Sequence, residues 1–343
     1  MSKIAFVFSG QGAQAPGMGK ELYDCSPAAK AVFDLADSIR PGTSQQCFEG
    51  TQEELNVTIN TQPCLFACDL AAAKAAQERG IQPDCAAGFS LGEAAAVAFS
   101  GMLTEAEAFS MVCKRAELMN EAAQKNPGAM AAVMKLSPQQ VETLCGPIEN
   151  AWPVNYNSPK QTVVAASADT IDQVVEAAIR GAEQGMKEYP RIRVGLILCC
   201  MRGDTNQELN MQTVEAASAQ RGRAVKLAVS GAFHSPLMHS AADGLREYLA
   251  SISLREEKLP VYANLTAEPY GEDKKETMAA QCENPVRWQK TIENMIANGV
   301  DTFIEVGVGK TLAGLIKKIN PEVMVYQIEN KEGLDAAAEA LGK

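Results

Sequence analysis

Ser90 stands at the centre of Gly88-Phe89-Ser90-Leu91-Gly92, a GxSxG pentapeptide with an apolar run before it (Cys85 to Phe89) and a helix-forming run after it (Glu93 to Phe99). That is the setting of a nucleophile elbow. Small residues two before and two after the serine let a strand turn sharply into a helix, so the hydroxyl stands clear and the next backbone N–H points into the same space. The pentapeptide alone also describes many ordinary turns, and it is the strand-turn-helix context that makes Ser90 a candidate nucleophile.

A nucleophilic serine needs a base, and the chain has only two histidines, His234 and His239. His234 lies in the loop Ser230-Gly231-Ala232-Phe233-His234-Ser235-Pro236, after the apolar run Val225 to Val229. Gly before and Pro after fit a strand end leading into a helix start, where catalytic side chains are commonly carried. His234 is therefore the candidate base, with a hydrogen-bonded structural histidine as the bland alternative. His239 is expected in the first turns of the following helix, solvated.

Arg115 is the third residue of interest. It sits at the edge of its helix's apolar stripe, and Met111, Val112, Leu118 and Met119, three and four positions away, offer no acid to pair with it. A nearly buried guanidinium without a local partner would bind a free carboxylate bidentately, whereas an acyl group lacking one would leave the charge unpaired. A solvated surface arginine is the alternative.

The elements that must position these residues follow from patterning. Short apolar runs alternate with alanine-rich amphipathic stretches, the βα alternation of a central, largely parallel sheet. Strands are predicted at Ile4 to Phe8, Cys85 to Phe89, Val225 to Val229, Val261 to Asn264 and Thr302 to Val306. Thr104 with Glu107 forms a capping box, Phe109, Val112, Cys113, Ala116 and Met119 recur on one face of the helix it starts, and Asn126-Pro127-Gly128 stops it. From there the texture changes. Met130 to Lys135 and Gln161 to Ala166 read as strands, and Pro138 to Cys145 and Thr170 to Gly181 as helices. The predicted class is α/β: a large α/β-hydrolase-like domain with a central, mostly parallel sheet (1–126 and 228–343), carrying an inserted small ferredoxin-like α+β subdomain (127–227).

Composition bounds the function. A chain of 343 residues with 46% hydrophobic content can bury a large core. No apolar run reaches membrane-spanning length and no secretory signal precedes Ile4 to Phe8, so a soluble cytoplasmic protein is expected. The ten cysteines lack zinc-site spacing and a secretory context, so reduced thiols and no metal are expected. A net charge of −11 argues against nucleic acid and anionic membranes as partners. Gly10-Gln11-Gly12-Ala13-Gln14-Ala15 imitates a dinucleotide loop, but Pro16-Gly17 and Gly19 interrupt the helix that motif requires. Gly307-Val308-Gly309-Lys310-Thr311 imitates the end of a Walker A loop, but Ile304 stands where its first glycine should be.

With these residues in view, the chain resembles the malonyl-CoA:acyl carrier protein transacylase family over nearly its whole length. The motifs run in order: Phe8-Ser9-Gly10-Gln11-Gly12, Thr61-Gln62-Pro63, the Gly88 to Glu93 elbow, Arg115, Asn155 to Gln161, the Gly231 to Met238 loop, Asn264, and Glu305-Val306-Gly307. The resemblance implies Ser90 as nucleophile, His234 as its base, and the backbone N–H groups of Gln11 and Leu91 as oxyanion hole. It implies that a backbone carbonyl, from Asn264 or a neighbour, orients His234, and that Arg115 holds the malonyl carboxylate, with Gln62 and Phe233 in support. The partners would be malonyl-CoA and holo acyl carrier protein, the CoA thioester being substrate and no cofactor being needed. A monomer is expected.

Two departures accompany the resemblance. Phe89 replaces the histidine usual before the nucleophile. An extra segment near 187–226 carries seven Lys/Arg against four acids, locally +3, and is a candidate docking surface for anionic CoA or carrier protein. At this level a serine thioesterase or hydrolase, or a non-catalytic carrier-protein-binding module, remains an alternative.

Overall fold

The computed structural model describes residues 2–178, the backbone of 196–199, and residues 231–343. Apart from the backbone of 196–199, the extra segment lies outside the described residues, as does the strand expected at Val225 to Val229.

The main sheet contains β1 (Lys3–Phe8), β2 (Cys85–Gly88), β7 (Val261–Tyr262), β8 (Val300–Val306) and β9 (Met324–Ile328), in the order β7-β2-β1-β8-β9 with every pairing parallel. Alternation along β1 feeds two cores: Phe6 and Phe8 pack on one side with Phe99, and Ala5 and Val7 on the other with Trp288 and Phe303. A sheet buried on both faces must be covered by helices on both.

On the first side lie α1 (Lys20–Cys25), α2 (Pro27–Ile39), α3 (Thr43–Glu49), α4 (Gln52–Leu55), α5 (Thr58–Glu78), α6 (Gly92–Ser100) and α7 (Glu105–Lys125). The buried residues of α5 run almost without a break from Thr61 to Ala76, so it has no polar face to read, and it carries Pro63 internally. The capping box that starts α7 is present as expected: the Glu107 N–H donates to Thr104 Oγ1 at 3.2 Å, and the Thr104 N–H donates to the Glu107 carboxylate at 2.8 Å.

The second sheet is antiparallel, with β3 (Gly128–Met134), β4 (Ala151–Ser158), β5 (Gln161–Ser167) and β6 (Leu196–Cys199) in the order β4-β5-β3-β6. Helices α8 (Pro138–Cys145) and α9 (residues 171–178) cover one face, giving the strand-helix-strand-strand-helix-strand order of a ferredoxin-like unit. Val141, Val174 and Ala178 pack there against Ala131, Val133 and Val164, while Met130, Ala132, Val163 and Ala165 join the large core. Val286 stitches the units further: its carbonyl accepts from Tyr156 N (2.9 Å) and its N–H donates to Val154 O (2.8 Å).

The chain closes with α10 (His239–Ala250), α11 (Lys274–Ala280), α12 (Trp288–Ala297), α13 (Thr311–Ile319) and α14 (Lys331–Ala340). The strand expected at Val261 to Asn264 is shorter, ending at Tyr262, because Ala263 N pairs with Glu268 O in a turn and Asn264 is drawn into the site described below. The eight cysteines whose side chains are described are all free thiols.

Candidate active site

The elbow between β2 and α6 is built by close approach. A Cβ on Gly88 would lie 1.9 Å from the Gly92 carbonyl carbon, and one on Gly92 would lie 2.3 Å from Phe8 O, so the helix start crosses the ends of both strands only with hydrogen at these positions. Ser90 between them has φ +53°, the left-handed region that a non-glycine residue adopts at a cost. Asn264 secures it: its Oδ1 accepts from Ser90 N at 2.7 Å and its Nδ2 donates to Gly88 O at 2.6 Å.

His234 also has a left-handed backbone, φ +63°, and is 3% exposed. Its Nε2 is 2.6 Å from Ser90 Oγ, and its Nδ1 is 2.8 Å from the carbonyl oxygen of Gln281. A carbonyl can only accept, so Nδ1 carries the proton and Nε2 presents a lone pair to the serine hydroxyl. Burial, assisted by the charge of Arg115, pushes the imidazole pKa down to about 4, keeping it a neutral base.

The orienting carbonyl corrects the expectation placed on Asn264. The Asn264 carbonyl accepts from Arg287 N at 3.0 Å, and its side chain is spent on the elbow. Gln281, from the 3₁₀ turn Gln281–Glu283, takes the role, and the same residue donates from Nε2 to Ser90 O (2.8 Å) and accepts at Oε1 from Arg115 (2.8 Å). Sequence reasoning missed Gln281 because a glutamine in a mixed-polarity stretch carries no motif.

Arg115 is 4% exposed, and its two terminal nitrogens donate to neutral amides, Gln62 Oε1 at 2.7 Å and Gln281 Oε1. It lines a cavity with Ser90, Glu93, Tyr270 and Gln281, walled by Ala94, Val97, Met111, Leu245 and Met278. Gln62 therefore meets the site through Arg115. Phe233, expected in support, packs within the core next to Gly231 and is not among the residues that line this cavity.

The loop Ser9 to Gly12 rests on the elbow, since a Cβ on Gly10 would lie 2.5 Å from Phe89 O. Gln11 follows Gly10 in this loop, and Leu91 precedes α6 at the positive end of the helix dipole. Phe89 packs edge-on against Trp288 at 5.4 Å between ring centres. It lines a second cleft with Gln11, Asn155, Asn157 and Gln161, and the buried Oδ1 atoms of Asn155 and Asn157 have no partner among the described residues. Glu305, also there, accepts from the N–H groups of Leu312 and Ala313, while burial pushes its pKa up to about 7. His239 is exposed and pairs with Glu283 and Asp243, as a solvated helical histidine would. Among the described residues no group of three or more His, Cys, Asp or Glu side chains could hold a metal ion.

An acyl transferase domain model matches residues 5–190. The chain is 36% identical over 348 aligned residues to the malonyl CoA-acyl carrier protein transacylase of Bacillus subtilis (strain 168), covering 99% of this chain and 98% of that one. It belongs to the malonyl CoA-acyl carrier protein transacylase family. Solved structures agree across the fold of this transacylase family. A Streptococcus pneumoniae transacylase superposes with TM-score 0.82 at 32% identity, covering 98% of this chain and all of that one. A malonyl-transacylase solved with its type II polyketide acyl carrier protein gives 0.83 at 29% identity, covering 99% and 100%.

Proposed function

We propose that Ser90 carries a malonyl group from malonyl-CoA to the phosphopantetheine thiol of acyl carrier protein, with His234 moving the proton. The chain is a malonyl-CoA:acyl carrier protein S-malonyltransferase, feeding fatty-acid or polyketide synthesis. The observation that carries the site assignment is the relay Gln281 O, His234, Ser90 Oγ opening into the cavity that holds Arg115.

In the first half-reaction His234 Nε2 takes the Ser90 proton as Oγ bonds to the thioester carbonyl carbon; the C–S bond breaks and the CoA sulfur receives that proton. In the second, the pantetheine thiol gives its proton to His234 and attacks the ester, and Ser90 Oγ leaves and recovers the proton. The tetrahedral oxyanion is assigned to the N–H groups of Gln11 and Leu91, donors of a kind whose individual loss costs roughly 3 kcal/mol of barrier. The exchange balances without a cofactor. Arg115, already held by two amides, would pair the malonyl carboxylate.

The unpartnered Asn155 and Asn157 oxygens suit the amide N–H groups of a pantetheine arm lying in the Phe89-lined cleft. The division into 1–126 with 228–343 and an inserted 127–227 is supported by the two sheets, which would form the two sides of that cleft. No helix among the described residues is long and apolar enough to cross a membrane, consistent with a cytoplasmic enzyme.

Intact-mass spectrometry of the protein mixed with malonyl-CoA tests the assignment. A malonyl adduct is expected that Ser90→Ala abolishes, that acetyl-CoA does not form, and that holo carrier protein discharges. Release of free malonate without an adduct would replace transfer by hydrolysis.

A further inference from the structure

Arg115 is not the only ionisable side chain against the acyl cavity. Glu93 lies one turn into α6 from Ser90, is 2% exposed, and lines the same cavity. Its oxygens are held by donors other than a cation: the Asn264 N–H reaches Oε2 at 2.6 Å, and the Tyr270 hydroxyl donates to Oε1. Arg115 is held by amide oxygens in turn, so among the described residues the cavity is lined by one cation and one acid with no ion pair between them.

This arrangement makes charge balance the question for the incoming acyl group, if the cavity takes the malonyl carboxylate as proposed above. An empty cavity with Arg115 and Glu93 both ionised is neutral. A substrate carboxylate would leave it net negative in a space walled by the apolar side chains of Val97, Met111, Leu245 and Met278, where an uncompensated charge is costly. We propose that Glu93 couples acyl selection to a proton: the substrate carboxylate pairs with Arg115 as Glu93 takes up one proton from solvent, so the filled cavity stays neutral. An acyl group without a carboxylate draws no proton.

Among the described residues, the groups around Glu93 leave it alone to titrate near neutrality. From α7 comes the Arg115 guanidinium. From the 264–270 segment comes the Tyr270 phenol, held neutral because burial raises its pKa well above the usual value. From the 281–283 turn come the uncharged Gln281 side chain and the Cys282 thiol, also raised by burial, and from the histidine loop comes His234, neutral above about pH 4. Burial pushes Glu93 itself up to about 7.

The test is calorimetric titration of Ser90→Ala, which cannot turn over, with malonyl-CoA and acetyl-CoA from pH 6 to 8.5, in buffers of differing ionisation enthalpy. The two ligands share the CoA phosphates, so their difference isolates the acyl group. Malonyl-CoA is expected to draw close to one additional proton above pH 7, with affinity falling up to tenfold per pH unit. Adding Glu93→Gln should abolish the additional uptake and flatten the profile. Tyr270→Phe, which removes a donor to the carboxylate, should move the midpoint to higher pH, and it carries the test should Glu93→Gln fail to fold. Malonyl-CoA binding with no additional proton, uptake that survives Glu93→Gln, or an unmoved midpoint in Tyr270→Phe overturns the proposal while leaving malonyl transfer intact; failure of malonyl-CoA to bind at all overturns both.

Discussion

His234 is held from both ends, by the Gln281 carbonyl at Nδ1 and Ser90 Oγ at Nε2, and its burial fixes the acid limit of the reaction. A depressed pKa keeps the base form available below the usual histidine range, so the rate of Ser90 acylation should hold as pH falls from 6.5 to about 5 and drop with a midpoint near 4. Rapid-quench acylation across that range checks it; a midpoint near 6.5 would mean that the imidazole is not dry. Arg115→Ala is expected to lower kcat/KM for malonyl-CoA roughly 30- to 1,000-fold, the counterpart of about 2–4 kcal/mol for a buried charge pair left half made, with no comparable loss for acetyl-CoA. Equal losses on both substrates would reduce Arg115 to a structural role. Of the residues that meet at the cavity, Ser90, His234 and Arg115 were legible because each was rare or anomalous in its setting. Gln281 was not, because its contribution is largely a main-chain carbonyl, which every residue owns.

At the scale of elements, the elbow depends on contacts between backbones. Gly92→Ala would drive a methyl to 2.3 Å from Phe8 O and 2.5 Å from Ser9 O, so it should lower the melting temperature and remove acylation together. Gly314→Ala, in α13, meets open space and should leave melting unchanged or raised, since glycine inside a helix costs about 1 kcal/mol relative to alanine. Thermal melts of the two variants separate crowding from a general intolerance of change. Elements with a polar and an apolar side were readable in advance, as α7 shows through its capping box and stripe. Those without such contrast were not. Buried nearly all round, α5 offers no periodicity and hides Pro63 inside it, and β4 is interrupted by Pro153 and by irregular pairing at two points. The parallel sheet could be inferred from alternation, but the length of β7 could not, since it is cut short by the turn that delivers Asn264.

Across the whole molecule, buried carboxyl groups set how stability responds to pH. Glu93 and Glu305 are each pushed up to about 7 and Asp69 is raised as well, burial being the first cause in all three. A group whose folded pKa lies above its unfolded value binds protons more tightly in the fold, so its stabilisation is full below the unfolded pKa and is lost as pH rises through the folded one. His234, lowered to about 4, works in the opposite sense between about 6.5 and 4, one group against three. The melting temperature should therefore decline from pH 6 to pH 8, and Glu305→Gln should make the decline shallower. A melting temperature that climbs over this interval would contradict the burial of these acids.

The two residues that exchange the proton, Ser90 and His234, share a backbone conformation that side chains resist, at a typical cost of 1–3 kcal/mol each. Glycine at either position would relax the chain and silence the chemistry. Selection for robustness alone would thus erode this site first. What keeps the serine and the histidine in place is turnover, and the remainder of the sequence has to be stable enough to carry two residues that work against it.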